Sequence, residues 1–265
     1  MDRDIAPPRV NVLGVQVSAI AMPDAIATLA RWIATGERKY VCVTGVHGVV
    51  ESLDDPMLRD IHNRAGLVTP DGMPLVWLGH RAGHSAMARV YGPDLLIAAI
   101  TAPALQTARH YFFGSTSEVL VALMERVRKL APDTLICGSH SPPFHDVTQV
   151  QDAALVDEIN AARPDIVWVG LGTPRQERWM AAHCGRIEAG ALVGIGAAFD
   201  FIAGTRRQAP RWMQRSGFEW LFRMLQEPRR LAPRYLRNNP RFLWHIALQR
   251  IGLQRHETNR TDTQR

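Results

Sequence analysis

Short apolar runs alternate with longer amphipathic segments along most of the chain. The runs are rich in β-branched and aromatic residues and several end in Gly, which is typical of buried strands. We predict strands at residues 10–17, 40–44, 67–69, 110–113, 134–137, 166–169 and 191–195. The 3.6-residue apolar period predicts helices at residues 24–34, 94–100, 118–130 and 153–162. Pro132 and Pro164 each end a helix shortly before a strand.

This alternation of strand and helix predicts βαβ units. We therefore expect an α/β fold with a Rossmann-like, mostly parallel sheet and helices on both faces. Ligands of such folds bind beyond the carboxyl ends of the strands, so the residues that follow each strand are the first candidates for a site.

The pattern changes after residue 205. Four prolines (Pro210, Pro228, Pro233 and Pro240) divide the remainder into short predicted helices in which aromatic residues are interleaved with Arg. We predict an α/β domain of residues 1–205, a basic helical appendage of residues 206–253 and a disordered tail of residues 254–265.

Charge is distributed unevenly between these parts. Residues 206–265 contain fourteen Arg, no Lys and four acidic residues, whereas the whole chain has a net charge of +6, which leaves residues 1–205 acidic. A basic segment of this kind indicates an anionic partner: nucleic acid, a membrane surface or a phosphorylated substrate. No helix-turn-helix, zinc-finger or RNA-binding signature is present, so we expect no nucleic-acid partner. No apolar stretch is long enough to span a bilayer, so we expect a soluble or peripheral protein.

The three cysteines (Cys42, Cys137 and Cys184) are scattered and have no metal-ligand spacing. We expect them to be reduced thiols, and we expect neither a metal nor a cofactor.

Two candidate motifs follow the early strands. The first contains Thr44 and His47, and the second is Pro70-Asp71-Gly72, where Pro70 favours an extended approach and Gly72 a tight turn. This turn would hold the Asp71 carboxylate at the end of the sheet, although Pro-Asp-Gly is also a common turn in which Asp binds only backbone amides. His47 could equally have only a packing role.

Two further motifs follow later strands. Gly114 and Ser115 lead from a strand into a helix, whose N-terminus could bind phosphate or could be capped by Ser115 or Thr116. Gly170, Gly172, Gln176 and Glu177 belong to a Gly-Leu-Gly-Thr-Pro-Arg-Gln-Glu segment, in which the glycines allow a ligand to approach the backbone. This segment is not the Gly-x-Gly-x-x-Gly motif of NAD-binding proteins, which disfavours an oxidoreductase.

Asp200 closes the next strand. It could bind a sugar hydroxyl or a base edge, or it could only cap a helix.

Taken together and in order, these segments resemble the WecG/TagA/CpsF family of bacterial glycosyltransferases. The matching segments are 69–72 (TPDG), 89–95 (RVYGPDL), 111–115 (YFFGS), 169–177 (VGLGTPRQE), 194–200 (GIGAAFD), 203–204 (AG), 208–210 (QAP), 219–223 (EWLFR) and 227–230 (EPRR).

The resemblance implies metal-independent transfer, with inversion, from a UDP-sugar donor to a sugar on a polyprenyl diphosphate acceptor. It implies that Asp71 is the catalytic base and Arg89 an active-site arginine. It also implies that Thr44 and Gln176 lie in the substrate pocket and that Asp200 contacts the nucleotide.

One position departs from the family pattern. Many members have Asn at the position of Val46, which His47 follows here. The segment resembles the GumM-type subgroup of exopolysaccharide glucosyltransferases, which favours glucose as the transferred sugar and makes His47 a second candidate catalytic residue. Transfer of an N-acetylmannosaminyl group, as in better-known branches of the family, is the alternative.

The resemblance also bears on the appendage. It implies that Arg223, Arg230 and Arg234 bind a diphosphate and close over the site, at the cytoplasmic face of the bacterial inner membrane. Trp220 and Phe222 could instead face the protein core. The sequence also allows a homo-oligomer, because an apolar face of the appendage could pack on a second copy of the chain.

Overall fold

The computed structural model describes residues 6–142 and 149–254. The predicted disordered tail lies outside these residues, apart from Gln254. The strands are β1 (Arg9–Val12), β2 (Val15–Ser18), β3 (Lys39–Thr44), β4 (Leu67–Pro70), β5 (Arg109–Gly114), β6 (Leu135–His140), β7 (Ile166–Gly170) and β8 (Ala191–Gly194). The helices are α1 (Met22–Thr35), α2 (Val46–Asp54), α3 (Pro56–Arg64), α4 (Met73–Arg81), α5 (Gly92–Thr101), α6 (Ser117–Leu130), α7 (Gln149–Ala161), α8 (Arg175–His183), α9 (Ala198–Ala203), α10 (Arg211–Arg215), α11 (Glu219–Gln226) and α12 (Pro228–Arg250).

Strands β3 to β8 form one parallel sheet in the order β4-β3-β8-β7-β5-β6. Side chains of the central strands alternate between two apolar layers: on β7, for example, Val167 and Val169 face one layer whereas Ile166 and Trp168 face the other. Helices cover both faces, so the sheet is buried on both sides, as parallel sheets require. The predicted α/β class with a mostly parallel sheet is confirmed, and six of the seven predicted strands lie at these six strands.

The first predicted strand is wrong. Residues 10–17 form a two-stranded antiparallel hairpin, β1 and β2, whose tight turn consists of Leu13 and Gly14. Both turn residues have positive φ values, +53° and +90°. This conformation suits the right-handed twist of a hairpin, and it is unusual for Leu. The valines at positions 10, 12, 15 and 17 concealed the turn, because together with Leu13 they give the whole segment the composition of one apolar strand.

The C-terminal helices differ from the prediction as well. We expected the prolines to divide this region into short pieces, but α12 is one helix of 23 residues that continues through Pro233 and Pro240. Each internal Pro removes one helical hydrogen bond, and the helix persists because packing on the body holds it. Phe242 lies in the core, while Arg237 and Arg241 form ion pairs with Asp54 at the end of α2.

The last helix is also bonded to the first hairpin. The side-chain amide of Gln249 accepts a hydrogen bond from the backbone N–H of Leu13 (3.0 Å) and donates one to the carbonyl of Asn11 (3.1 Å). These bonds satisfy the backbone of the strained β1–β2 turn. The division of the chain at residue 205 stays a prediction.

Candidate active site

A cleft of about 990 Å³ opens beyond the carboxyl ends of β3, β4, β7 and β8, and α11 and α12 line its other side. Five helices (α2, α4, α5, α8 and α9) begin beside these strand ends and contribute their first residues to the wall. The positive ends of these helix dipoles therefore lie at the cleft, which favours an anionic ligand. Nine of the predicted site residues line it: Thr44, His47, Asp71, Arg89, Gly172, Gln176, Arg223, Arg230 and Arg234.

Asp71 lies at the turn between β4 and α4, where its backbone N–H donates to the carbonyl of Thr44 (3.0 Å). Its Oδ1 accepts a hydrogen bond from the backbone N–H of Gly92 (3.4 Å), and a Cβ atom at position 45 would lie 3.6 Å from Oδ2. Burial raises the pKa of the Asp71 carboxyl, Arg89 opposes that rise, and Glu219 adds to it. Since a carboxylate with a raised pKa accepts protons more readily than an ordinary one, Asp71 has the chemistry of a general base.

Arg89 links the Asp71 turn to α11. Its Nε donates to the backbone carbonyl of Asp71, its Nη2 forms an ion pair with Glu219 (2.5 Å), and its Nη1 contacts the amide oxygen of Gln214 (3.4 Å). The guanidinium also stacks on the ring of Tyr91, 4.0 Å from the ring centre, and the Tyr91 hydroxyl donates to Glu219 (2.9 Å). Arg89 and Glu219 are nearly buried, with 14% and 13% of their side chains exposed.

Thr44 is oriented by a buried histidine. His62 Nδ1 lies 3.0 Å from the carbonyl of Leu58, so this nitrogen carries the proton and Nε2 accepts a hydrogen bond from the Thr44 hydroxyl (3.0 Å). Burial lowers the pKa of His62, which keeps the ring neutral.

His47, at the start of α2, is held by a residue of α12. The side-chain amide of Asn238 donates to its Nδ1 (2.9 Å), which leaves the proton on Nε2. Burial, with the nearby charges of Arg234 and Arg223, lowers the pKa of His47 to about 4. A neutral ring with so low a pKa is a weak base but a good hydrogen-bond donor.

Gln176 and Glu177 shape the loop after β7. The amide oxygen of Gln176 accepts from the backbone N–H of Gly172 (3.2 Å), and its nitrogen donates to Glu177 (3.2 Å). Glu177 also accepts from the hydroxyl of Thr173 (2.8 Å). Gly172 has a φ of +77° and faces the cleft, and the peptide between Thr173 and Pro174 is cis.

Two arginines of the cleft form no close ion pair in the described part of the chain, although Asp71 and Glu219 are near enough to Arg223 to raise its pKa. Among residues 6–142 and 149–254, neither Arg223 nor Arg234 forms a hydrogen bond or an ion pair with another side chain; they lie over the rings of Phe201 and Tyr235 instead. The Nε of Arg234 is buried without a hydrogen-bond partner in the described structure. Arg230 differs, since it pairs with Glu227 at 2.6 Å. Two unpaired guanidinium groups beside five helix N-termini define a site for a multiply charged anion.

The remaining predicted site residues do not line the cleft: Gly114, Ser115, Gly170, Glu177 and Asp200. Gly114 and Gly170 lie at the ends of β5 and β7, where a Cβ on Gly114 would approach the backbone of Gly170 to 2.8 Å. The carbonyl of Ser115 accepts from Ser141, and the residue that caps α6 is Thr116. Asp200 pairs with Arg206 and accepts from the hydroxyl of Thr205.

Several residues that complete the cleft were not predicted from the sequence: Tyr91, Gln214, Glu219 and Asn238 in the wall, and His62 behind it. Tyr91 and Glu219 lie in segments that carried the family resemblance, which was the available signal for them. His62 and Asn238 had none, because both act through contacts between distant parts of the chain.

Two searches of the described residues bear on ligands. In residues 6–142 and 149–254, no three His, Cys, Asp or Glu side chains are grouped as they would be around a metal ion. No helix in the same residues has both the length and the apolar character needed to cross a bilayer.

A parallel sheet with a carboxylate and unpaired arginines beyond its carboxyl ends is typical of enzymes that use nucleotide-activated substrates. The family model described as "Glycosyl transferase WecG/TagA/CpsF family" matches residues 10–256 of the chain. The chain belongs to this glycosyltransferase family, and the resemblance inferred from the motifs is confirmed at that level. The alternatives of an oxidoreductase and of a nucleic-acid-binding protein are therefore set aside.

Two named proteins are similar to this chain over most of its length. The chain is 23% identical over 241 residues, 90% of its length and 92% of the relative's, to a protein of Staphylococcus aureus (strain MW2). It is 28% identical over 180 residues, 68% of each chain, to a protein of Bacillus spizizenii (strain ATCC 23059 / NRRL B-14472 / W23). Both relatives are named N-acetylglucosaminyldiphosphoundecaprenol N-acetyl-beta-D-mannosaminyltransferase. The resemblance to the GumM-type subgroup is not confirmed by these relatives.

Proposed function

We propose that this enzyme transfers a sugar, with inversion, from a UDP-sugar to a sugar carried on a polyprenyl diphosphate. The observation that carries the proposal is the pairing, in one cleft, of a carboxylate of raised pKa, Asp71, with two guanidinium groups, Arg223 and Arg234, that form no ion pair or side-chain hydrogen bond among the described residues. A base and a cationic group that can bind the leaving group are two requirements of inverting transfer from a diphosphate.

In the proposed reaction, Asp71 takes the proton of an acceptor hydroxyl while that oxygen forms a bond to the anomeric carbon. The bond from this carbon to the UDP oxygen breaks on the opposite face, which inverts the configuration. The negative charge that develops on UDP is stabilised by the helix N-termini and by Arg223 and Arg234, so the proposal needs no metal ion. Neutral His47 can donate its Nε2–H to a substrate oxygen, and Thr44 offers a hydroxyl that His62 orients.

The sugar is the part of the proposal that the comparisons change. The names of both relatives favour the N-acetylmannosaminyl alternative over the glucose that we expected from the GumM-like segment. We therefore propose UDP-N-acetylmannosamine as the donor, and an N-acetylglucosaminyl diphosphate lipid as the acceptor. UDP-glucose is retained as the second candidate, because Val46 and His47 line the cleft where many family members have a different pattern.

The part of the cleft between α4 and α12 suits a lipid. Its wall there is formed by side chains of α4 and α12 that are apolar: Trp77, Leu78, Phe242, Leu243 and Ile246. A prenyl chain lying along this wall would remove apolar surface from water, and its diphosphate would approach the cationic end of the same cleft.

Exposed apolar side chains extend beyond the cleft along the C-terminal helices. They include Trp212, Leu225, Leu236 and Trp244, on helices that also carry many arginines. Arg and Trp together suit the headgroup layer of an anionic membrane. We propose that the enzyme is peripheral, on the cytoplasmic face of the bacterial inner membrane, and that it acts in exopolysaccharide synthesis. The boundary at residue 205 and the lid role of the appendage belong to the same proposal.

A UDP-release assay tests the reaction. Purified enzyme is mixed with UDP-N-acetylmannosamine, UDP-N-acetylglucosamine or UDP-glucose, each with N-acetylglucosaminyl or glucosyl diphosphate lipids. We expect turnover with the first donor and an N-acetylglucosaminyl acceptor, and a product of inverted anomeric configuration by NMR. Turnover with UDP-glucose alone would favour the second candidate, and no UDP release from any pair would refute the proposal.

Vesicle flotation tests membrane binding. Trp244→Ser should weaken binding to vesicles that contain phosphatidylglycerol, whereas Val121→Ser, which removes an exposed apolar side chain from α6, should not. Equal binding by both variants would count against α12 as the contact surface. Light scattering of the same samples would show whether the helix instead holds a second copy.

A further inference from the structure

Beyond the base itself, the structure contains a buried ionic pair that joins the appendage to the catalytic turn. Glu219, the first residue of α11, accepts from Arg89 with one oxygen and from Tyr91 with the other. Arg89 passes this contact on, because its Nε donates to the backbone carbonyl of Asp71. Pro70, which precedes Asp71, is also bonded to this segment, because its carbonyl accepts a hydrogen bond from the backbone N–H of Val90 (2.9 Å).

The pair is oriented from other sides as well. The amide nitrogen of Gln214 donates to the carbonyl of Ala209 (2.7 Å), which fixes the amide so that its oxygen faces Arg89. Three N–H donors of the Arg89 guanidinium are thus engaged, and one of its faces is covered by Tyr91. Arg89 differs in this respect from Arg223 and Arg234, whose guanidinium groups form no side-chain hydrogen bonds among the described residues.

We propose that Glu219 is a positioning residue which, through Arg89, couples the docking of α11 to the placement of the Asp71 carboxylate. Arg89 on this view holds the base and does not bind the diphosphate. The inference rests on the proposed function, in which Asp71 is the base. It makes the site complete only when α11 is seated, because the contact between the two parts of the chain is also the contact that supports the catalytic turn.

The charges around Asp71 give this coupling a distinctive signature. Arg89 and Arg223 act to lower the pKa of Asp71, the Gly92 N–H acts in the same direction, and Glu219 acts to raise it. Tyr91 stays neutral, since burial raises the pKa of its hydroxyl well above the usual range. Removing Glu219 should therefore lower the pKa of Asp71, whereas removing Arg89 should raise it.

The experiment compares Glu219→Gln with Arg89→Gln. We expect kcat to fall at least about tenfold in each, with the affinity for UDP changed less than about threefold. The acid limb of kcat/KM should move to lower pH in Glu219→Gln and to higher pH in Arg89→Gln. A purely structural role would lower the active fraction in both variants without moving either limb.

Asp54→Asn is the matched control, because Asp54 also anchors the appendage through arginines but on the outer side of α12. It should leave the acid limb where it is in the wild type. If Glu219→Gln does not fold, Tyr91→Phe removes one of the two hydrogen bonds to Glu219 but keeps its charge, so kcat should fall by less than in Glu219→Gln without a shift of the acid limb to lower pH, and an unchanged kcat would overturn the coupling.

A second readout does not depend on turnover. Carbon-13 NMR titration of the Asp71 carboxyl should show opposite pKa changes in Glu219→Gln and Arg89→Gln. Unmoved carboxyl titrations would overturn the coupling even if the enzyme is an active transferase. Opposite shifts in an enzyme that releases no UDP would uphold the coupling and refute only the proposed function.

Discussion

Replacing Asp71 by Asn removes a proton acceptor while preserving the shape of the side chain. The amide oxygen of Asn can still accept the hydrogen bond from the backbone N–H of Gly92, and the link from Arg89 goes to the backbone carbonyl, which the substitution does not touch. The variant should therefore keep its cleft, its affinity for UDP and the seating of α11. What it loses is the group that we propose deprotonates the acceptor.

The expected loss of activity follows from this role. A positioned general base contributes about 10²–10⁴-fold to a rate, so kcat should fall by that factor. The effect on stability should have the opposite sign. Because the folded state raises the pKa of Asp71, the folded protein binds this proton more tightly than the unfolded chain does. Wild-type stability therefore falls as the pH rises from the unfolded pKa through the raised folded pKa.

Asn has no such proton, so above that pH window Asp71→Asn should be at least as stable as the wild type. The gain is about 1.4 kcal/mol for each unit by which the fold raises the pKa. The assays are UDP release, UDP titration by calorimetry, and thermal unfolding at pH 4 and pH 8. An inactive variant that is also less stable at pH 8 would refute the reasoning, since its inactivity would then reflect damage to the fold.

Three further predictions test other parts of the site and the core. Arg234→Met should weaken UDP binding by about tenfold or more, since a charged hydrogen bond contributes about 1.5–3 kcal/mol, whereas Arg237→Met on the outer side of the same helix should leave UDP binding unchanged. His47 has a pKa of about 4, so its replacement by Gln should introduce or remove no titration between pH 6 and 8 in the rate profile; a limb near pH 6.5 that the variant lacks would contradict this. Trp168→Phe leaves His110 Nδ1 without its buried donor (3.0 Å in the wild type) and should lower the free energy of unfolding by about 1–3 kcal/mol, measured by urea denaturation; an unchanged midpoint would show that the bond contributes nothing.

The fold was largely predictable because its signals are local. Buried parallel strands are short apolar runs, so the six strands of the parallel sheet were found within a few residues. The apolar period located α1, α5, α6 and α7, whereas α2, α3 and α4 were not predicted. The hairpin was missed because Leu13 occupies a backbone conformation that Gly usually adopts. The continuity of α12 was missed because tertiary contacts, such as those of Phe242, outweigh the local cost of Pro233 and Pro240.

The site was less predictable, because the order of the strands in the sheet cannot be inferred from the local sequence of any one segment. Thr44 and Asp71 follow strands that turn out to be neighbours, and they line the cleft together. Gly114 follows a strand on the far side of β7, so its motif falls outside the lining of the cleft. Glu219, His62 and Asn238 act through partners many positions away, and a pattern read along the chain cannot supply such partners.

The bonds between Gln249 and the β1–β2 turn have a consequence for synthesis of the protein. They join residues separated by 236 and 238 positions, so they form only after the segment that contains Gln249 has left the ribosome. Arg223 and Arg234 arrive in the same late segment. A nascent chain can therefore build its sheet and expose Asp71 well before it has the cations that line the cleft. The cleft is therefore complete only once α12 has been synthesised and has closed on the first hairpin.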